Sequence, residues 1–502
     1  MEEHNLLIVS DLHLSEGLDT ESARLSRLED FLFDDAFARF LRYHEEVKTQ
    51  PRFGGRPWHL VINGDLFDFL QVVSLPEEGR LLQTVRGVGR RKELRINEQD
   101  YGLGTTAEES EWKLKRVAQG HQRFFAALGW FVAHGNHIVV TRGNHDVELY
   151  WPKVQARFTK EVGRAYTRER LKLGNGPPVS LEELGARIHF YPWFYHEPGR
   201  VYVEHGCQYE AANHFRDFLN PVLPDDPAHI ELPWGSLFVR YLFNKVEDVH
   251  PFADNIKPAT RYLAWAFKTD PVQTVEVLVT RGWVFLRAFW NVVRKTVASA
   301  FQDTRGPSVG AQSPRPYGHV PLPARVTYKI AALAQQRVDA SWREWVLSAI
   351  QGLLSLLTAL IAVIFVVRAY LALIGGSWWM TIVYLGAAVL AYFLRRGLKR
   401  SFTSLFESDY LASAARALEQ ILKPAHAVHY IVLGHDHRAT VERMEQAWYI
   451  NTGAWVPVYE EEGPIEGREE LSFFRLAWGY EGPPELLHWD DAAGAPARVM
   501  LR

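Results

Sequence analysis

The sequence predicts an α/β fold that is interrupted by a helical insertion, and two features of the chain support this prediction. The first is a set of five short polar motifs, each at the end of an apolar run typical of a strand buried on both faces. Open α/β sheets place their ligands at the carboxyl ends of such strands. The second feature is a pair of long uncharged runs between the fourth and fifth motifs. The motifs are LLIVSDLH, HLVINGDLFD, IVVTRGNHD, VYVEHG and YIVLGHDH.

The side chains in these motifs are of the types that bind divalent metal ions. Asp11 and His13 are two residues apart and point the same way on an extended segment. Asp65 follows a glycine, which allows close backbone approach, and a lone carboxylate there can bridge two cations. Asn144 offers a carbonyl oxygen, and mixed nitrogen and oxygen ligation suits Mn, Fe, Zn or Co better than Mg or Ca. The imidazole ligands are His205, His435 and His437.

Each of these residues taken alone has an ordinary explanation. An Asp after a strand is usually a turn or helix cap, and a lone His is usually a surface or core residue. Five such motifs in one chain, each after a strand-like run, are hard to explain as caps. The set as a whole therefore predicts a metal site.

The ordered blocks D-x-H, G-D-x-x-D, G-N-H-D, H-G and G-H-D-H resemble those of the calcineurin-like metallophosphoesterase superfamily. The resemblance covers roughly residues 5–210 and 425–460. It implies a four-layer α/β/β/α sandwich and two divalent metal ions, with Mn²⁺ the first choice and Fe, Zn or Co the alternatives. By position, one ion would be held by Asp11, His13, Asp65 and His437, and the other by Asp65, Asn144, His205 and His435.

The resemblance also implies a mechanism without a covalent intermediate. Two metal ions lower the pKa of a bound water and neutralise charge on the phosphoryl oxygens. His145 matches the catalytic histidine of the family, which lies over the phosphate, and Asp146 would orient it. Asp68 is expected to fix the loop geometry or to cap a helix. Ser10 and Cys207 lie beside ligands and are expected to be packing residues.

Two uncharged runs are long enough to cross a bilayer as helices. They cover residues 345–367 and 369–394, and a membrane-spanning helix needs about 20 apolar residues. Gly375 and Gly376, followed by a pair of tryptophans, fit a turn beside an interfacial aromatic anchor. We therefore predict a transmembrane hairpin, so that the fold class includes two membrane-spanning helices. A buried helical hairpin in a soluble cap domain, or a pair of dimer helices, is the alternative.

The predicted hairpin also sets a location. His205 precedes the two runs and His435 follows them, so a shared metal site places both flanks on the same side of the membrane. The basic residues after the second run predict that this side is cytoplasmic. The protein is therefore expected at the cytoplasmic membrane, with its catalytic domain in the cytoplasm. The basic residues are Arg395, Arg396, Lys399 and Arg400.

Length and composition limit the remaining possibilities. The 502 residues allow two or three domains, and the net charge of −3 gives no reason to expect a nucleic-acid partner. Cys207 is the only cysteine, so no intrachain disulfide forms and a reducing compartment is expected. The predicted domains are a first catalytic part (1–210), an aromatic-rich helical cap (211–340), the hairpin (341–400), and a returning helix with the second catalytic part (401–502).

Two insertions offer candidate contacts to substrate or membrane. Residues 71–120 include an arginine-rich segment that could bind an anionic headgroup or nucleotide phosphates. The alternative is that this segment is a solvated helix face or a mobile loop. Residues 281–301 predict an amphipathic helix that lies on a membrane leaflet or in the core of the cap. Residues 303–323 predict a linker. The arginines proposed to bind substrate are Arg86, Arg90 and Arg91.

The segments SDLHL, NGDLFDF and NTGAW are most similar to the branch that contains UDP-2,3-diacylglucosamine pyrophosphatases, which cleave a lipid-linked diphosphate. The chain departs from that branch at His145, where the branch has Arg, and in its long insertion. The first functional hypothesis is a membrane-anchored, dinuclear phosphoesterase acting on a lipid-linked phosphate or diphosphate. The alternatives are a tethered phosphodiesterase for soluble nucleotides or cyclic nucleotides, and a catalytically silent membrane scaffold. A homodimer is also considered, because two-helix anchors often pack against a copy.

Overall fold

The fold is known from a computed structural model, which describes residues 3–19, 24–76, 101–174, 176–244, 321–334, 365, 368–370, 372–402, 410–423, 425–459 and 467–499. The chain divides into two compact units. The first consists of Met1–Val293, Pro307–Gln335 and Leu411–Arg502, and the second of Arg294–Gly306 and Gln336–Tyr410.

The described helices are α1 (Asp34–Val47), α2 (Ala107–Gly120), α3 (Gln122–Ala133), α4 (Pro152–Leu173), α5 (Leu181–Arg187), α6 (Trp234–Phe238), α7 (Ala324–Ala331), α8 (Trp378–Phe402) and α9 (Tyr410–Leu422). Short 3₁₀ turns lie at Val147–Tyr150 and Cys207–Tyr209, and a π turn at Val239–Phe243.

The described strands are β1 (Asn5–Val9), β2 (Leu18–Asp19), β3 (Arg24–Leu25), β4 (Trp58–Asn63), β5 (His137–Thr141), β6 (Ile188–Tyr191), β7 (Phe194–Glu197), β8 (Val201–Glu204), β9 (Val222–Leu223), β10 (Asp226–Ile230), β11 (Tyr430–Leu433), β12 (Thr440–Arg443), β13 (Trp448–Asn451), β14 (Pro457–Tyr459), β15 (Gly467–Glu469), β16 (Ser472–Leu476), β17 (Glu485–Asp490) and β18 (Ala495–Arg498).

Two sheets form the centre of the first unit. The first sheet has seven strands in the order β18-β17-β16-β1-β4-β5-β6, and β1, β4, β5 and β6 run parallel. The second has five strands in the order β12-β13-β11-β8-β7, in which β8, β11 and β13 run parallel. The parallel strands of each sheet therefore deliver their carboxyl ends to a common edge, where polar loops can meet.

Alternating residues of β1 face two different cores. Leu7 and Val9 pack with Phe37 of α1, Phe124 of α3 and other buried residues of α2 and α4. Leu6 and Ile8 point the opposite way and pack with residues of the second sheet, including Val203 of β8 and Val432 of β11. β1 is thus buried on both faces, as its uninterrupted apolar sequence requires.

Helix α9 lies on the outer face of the second sheet. Leu422 of α9 and Ile431 of β11 line the same small cavity. The Glu419 side chain accepts hydrogen bonds from the backbone N–H groups of Gln446, at 2.6 Å, and of Ala447, at 2.8 Å. The first unit is therefore layered as helices, sheet, sheet and helix, a mixed α/β fold consistent with a metallophosphoesterase.

Local sequence fixes the ends of the helices that flank the first sheet. Thr106 caps α2 in a capping box with Glu109, in which each side chain bonds the other residue's backbone N–H. Helix α4 begins with Pro152 and ends at Gly174, whose φ of 67° is the left-handed conformation that glycine adopts without strain.

The prediction of two membrane-spanning helices is wrong for the part of the chain that the structure describes, since no helix there is long and apolar enough to cross a membrane. Residues 345–367 lie, apart from residue 365, outside the described residues. The run 369–394 is broken by a turn at Gly375 and Gly376, and α8 begins only at Trp378. The uncharged part of α8 runs from Trp378 to the residue before Arg395, and it is shorter than the about 20 residues that a membrane-spanning helix needs. The same finding overturns the predicted location at the cytoplasmic membrane.

Candidate metal centre

The five motifs follow five strands whose carboxyl ends lie at one edge of the two sheets. In the first sheet, parallel strands β1, β4 and β5 lead into the loops of Asp11, Asp65 and Asn144. In the second sheet, parallel strands β8 and β11 lead into those of His205 and His435. Five loops that are distant along the chain therefore bring the predicted ligands together.

The backbone of these loops adopts a conformation that side chains disfavour. Six non-glycine residues have a positive φ among the residues that the structure describes, and five of the six are predicted metal ligands. Left-handed backbone costs free energy for a residue with a Cβ, so it is retained where surrounding structure imposes it, often at functional sites. The five ligands are Asp11 (55°), His13 (51°), Asp65 (48°), His435 (77°) and His437 (62°).

The first group of ligand atoms consists of Asp11, His13 and His437, with Asp65 nearby. The Nε2 atoms of His13 and His437 are 3.2 Å apart, and His437 Nε2 lies 3.3 Å from Asp11 Oδ1. Asp65 Oδ2 lies 3.8 Å from His13 Nε2. Asp11 Oδ1 is buried and accepts no well-formed hydrogen bond from the described residues, although buried polar atoms almost always have a partner. Nitrogen and oxygen atoms that converge in this way fit a cation.

The second group consists of Asp65, His205 and His435, with Asn144 beside them. His205 Nε2 lies 3.1 Å from Asp65 Oδ2 and 3.3 Å from Asn144 Oδ1. His205 Nδ1 donates a hydrogen bond to the Asn63 carbonyl at 3.0 Å, which orients the ring and leaves Nε2 for the site. Asp65 also lies in a group with His13 and His145, so its carboxylate stands between the two sets of predicted ligands.

His145 contacts a different carboxylate from the expected one. Its Nδ1 lies 2.6 Å from Asp68 Oδ2, and its backbone N–H donates to Asp65 Oδ1 at 2.8 Å. The Asp146 carboxylate instead accepts the backbone N–H groups of Gly143, at 2.6 Å, and Leu66, at 2.8 Å. Asp146 thus ties two ligand loops together, and the residue that orients His145 is Asp68.

Neighbouring histidines keep three carboxylates of the site ionised. Burial alone would raise the pKa of Asp11, Asp65 and Asp68, but charge on the neighbouring histidines outweighs it and holds all three well below their ordinary value. Burial would lower the pKa of His205, but Asp65 and Asp11 raise it to about 9. Ionised carboxylates that draw protons onto adjacent imidazoles form a site where metal ions can replace those protons.

Glu210 is a contact that the sequence did not reveal. Its Oε2 lies 2.6 Å from Nε2 of His435, and it comes from a loop outside the five motifs. Glu210 follows His205 by five positions in an irregular segment, without a strand or a glycine to mark it. No sequence signal distinguishes it from a surface glutamate.

The predicted substrate contacts Arg86, Arg90 and Arg91 lie outside the described residues. The same holds for residues 245–320, which include the predicted amphipathic helix at 281–301 and most of the linker at 303–323. Ser10 and Cys207 are both buried beside the ligand loops. Ser10 Oγ is bonded to Thr452 Oγ1 at 2.7 Å, a packing role of the kind expected.

Residues 4–237 match the family model described as calcineurin-like phosphoesterase. The match includes the loops of Asp11, Asp65, Asn144 and His205 and ends before β11. Comparison with curated proteins and with solved structures gives no match. The chain therefore carries a calcineurin-like phosphoesterase domain, and this domain indicates a metal-dependent phosphoric ester hydrolase.

Proposed function

We propose that the protein hydrolyses a phosphoester or diphosphate bond with two divalent metal ions at the candidate metal centre. One observation supports this most directly: Asp65 is shared by two groups of possible ligand atoms, one with His13 and His145 and one with His205 and His435. A carboxylate shared in this way suits a pair of ions rather than a single one. The seven proposed ligands are Asp11, His13, Asp65, Asn144, His205, His435 and His437.

Two ions at such a site supply a Lewis acid for the phosphoryl oxygens and an activated water for in-line displacement. The side chains of the protein do the rest. Asp68 keeps a proton on Nδ1 of His145, so a second proton on Nε2 can be donated to a phosphoryl or leaving oxygen. Asp146 keeps the loops of Asp65 and His145 in register through backbone hydrogen bonds.

The choice of substrate stays a prediction. A lipid-linked diphosphate is the narrower prediction from the sequence, and the alternative is a soluble nucleotide or cyclic nucleotide. No contact among the described residues favours one over the other. A phosphodiester is the appropriate first probe, because it tests the metal chemistry without depending on the substrate's remaining groups.

The test is Mn²⁺-dependent hydrolysis of bis-p-nitrophenyl phosphate by the full chain and by Asp65→Asn. We expect the variant to lose at least about 10³-fold in kcat, because the bridging charge is removed from groups that stabilise the transition state. Metal content by inductively coupled plasma mass spectrometry should fall in parallel. Asp490→Asn, at the end of β17, is the matched control and should keep both activity and metal. Full activity of Asp65→Asn would refute the proposal.

A further inference from the structure

A second group of histidines lies at the opposite end of the first sheet. His4 precedes β1, His59 is the second residue of β4, His137 opens β5, and His189 lies on β6. These strands are neighbours, and His59 and His137 are directly paired. His4 and Asp11 lie at opposite ends of β1, so this group is roughly 20 Å from the candidate metal centre at the strand rise of about 3.3 Å per residue.

Three side chains in this group bring possible ligand atoms together. One nitrogen of His4, one of His59 and one oxygen of Glu197 lie within 4.8 Å of one another. His4 Nε2 lies 2.6 Å from Glu197 Oε1. His4 and Glu197 are each 3% exposed and His59 is partly buried, so most of the group lies below the surface. Two histidines and one glutamate are a recurrent ligand set for zinc.

His59 has a free ligand atom in this enclosure. Its Nδ1 is buried and has no hydrogen-bond partner among the described residues. The rings of His4 and His59 stack at 3.6 Å with an angle of 10° between their planes. Two parallel rings cannot both point a nitrogen lone pair at the same ion. Metal binding therefore requires the His59 ring to rotate. That rotation breaks no hydrogen bond at His59 Nδ1 among the described residues.

Glu197 is held in place by Arg200 and Tyr195. Arg200 Nη1 lies 2.7 Å from Glu197 Oε2 and 3.3 Å from His4 Nε2, and Tyr195 donates its hydroxyl to Oε1, the oxygen that faces His4. Arg200 also donates to the His4 carbonyl at 2.9 Å and lies over the Trp478 ring. Partners of this kind commonly orient the carboxylate of a metal site, because they fix which oxygen faces the ion.

We propose that His4, His59 and Glu197 bind a divalent transition-metal ion of the zinc class, in a second site separate from the candidate metal centre. Imidazole and carboxylate ligands suit Zn, Cu or Ni better than Mg or Ca. His4 and His59 belong to the first sheet and Glu197 to the second, so the ion joins the two sheets at the end remote from the candidate metal centre. Its role is to stabilise the sandwich.

The test counts zinc in the full chain by inductively coupled plasma mass spectrometry, after saturation with zinc and removal of loosely bound ions. His59→Gln is compared with the wild type and with His189→Gln, a histidine of the same row outside the three proposed ligands. We expect His59→Gln to bind one equivalent less than the wild type and His189→Gln to bind the same number. Addition of zinc should raise the Tm of His59→Gln less than that of the other two proteins.

Equal zinc content in the wild type and His59→Gln would overturn the proposal, and so would the same loss in His189→Gln. A crystal of the unsubstituted protein grown with zinc gives a test that does not depend on a variant that folds. Anomalous scattering at the zinc edge should place an ion between His4, His59 and Glu197. A crystal with zinc at the candidate metal centre and none at this position would refute the second site.

Discussion

His145 and Asp68 form the side-chain contact on which the proposed proton transfer depends most directly. In the wild type, the backbone N–H groups of Leu70 and Gln71 donate to Asp68 Oδ1 at 2.9 and 3.0 Å. Asp68→Asn retains an oxygen that can accept these two hydrogen bonds. The substitution therefore removes the negative charge that faces His145, and that also lies 3.5 Å from Nδ1 of the proposed ligand His13, with little change in the loop. We expect kcat at saturating metal to fall by about 10²-fold, the usual contribution of general acid catalysis, with KM nearly unchanged. Steady-state kinetics with a metal count would show this, and an unchanged kcat would contradict the assigned role.

Substitution of Asp146 should lower stability rather than act directly on proton transfer, because its oxygens accept backbone N–H groups and not His145. Asp146→Ala leaves the N–H groups of Gly143 and Leu66 without an acceptor in a fully buried position. We expect a loss of about 2–4 kcal/mol in the free energy of unfolding, since each unsatisfied buried donor costs about 1–3 kcal/mol. Urea unfolding measures this loss. If Asp146→Ala lowered kcat with no loss of stability, Asp146 and not Asp68 would be the partner that matters for catalysis.

The loops after the parallel strands are packed so closely that one methyl group can displace a ligand. A Cβ on Gly143, in the loop after β5, would lie 2.1 Å from Asp65 Oδ1 and 2.6 Å from the Asp65 backbone nitrogen. Gly143→Ala is therefore expected to move Asp65 and to lower metal content and hydrolysis together, by at least about 10-fold in kcat/KM, as small misplacements of catalytic groups do.

Gly185→Ala is the matched control for this substitution. Gly185 lies in α5, and a Cβ there would meet nothing within 4 Å. Alanine is favoured over glycine inside a helix by about 1 kcal/mol, so this variant should be as stable as the wild type or slightly more so and keep full activity. If Gly143→Ala behaved in the same way, the packing of this loop would not control the position of Asp65.

The convergence of the loops that carry the proposed metal ligands could be predicted from the sequence because their signal is local. Each loop directly follows an apolar run, and parallel strands bring such ends to one edge of a sheet. The pairing of His145 with Asp68, and that of His435 with Glu210, could not be predicted in this way. The partners are 77 and 225 positions apart, and the loops that join them have no periodic pattern.

The predicted transmembrane hairpin failed for a different physical reason. Apolar composition gives the amount of hydrophobic surface but not where a helix begins. In the described part of the run 369–394, the turn at Gly375 and Gly376 shortens the helix below the length of a span. The turn itself was expected from the two glycines, but the predicted length of the second helix was counted across it. A composition window averages over a turn of this kind and therefore overestimates the length of a helix.

The stability of the whole first unit should depend on pH through His121, which joins α2 to α3. His121 Nδ1 lies 2.9 Å from Asp34 Oδ2, and Nε2 lies 3.1 Å from Glu29 Oε2. Burial alone would lower its pKa, but Glu29 and Asp34 raise it from 6.5 to about 10. Glu29 also accepts the N–H of Gly17, at 2.6 Å, in the segment that follows the first metal-binding loop. The charged imidazole therefore links the helical layer to the loops of the site.

A raised pKa in the folded state means that the stabilisation is fully present below pH 6.5 and is lost as the pH rises through about 10. His121→Gln should cost about 3 kcal/mol or more in the free energy of unfolding at pH 6, because it removes the charged partner of the buried Glu29 carboxylate and of Asp34. Its deficit relative to the wild type should shrink steadily towards pH 10. Urea unfolding of both proteins across this range measures the deficit, with His488→Gln on β17 as the control. A deficit that did not change between pH 6 and 10 would mean that His121 contributes through its shape, and not through the charge it carries between Glu29 and Asp34.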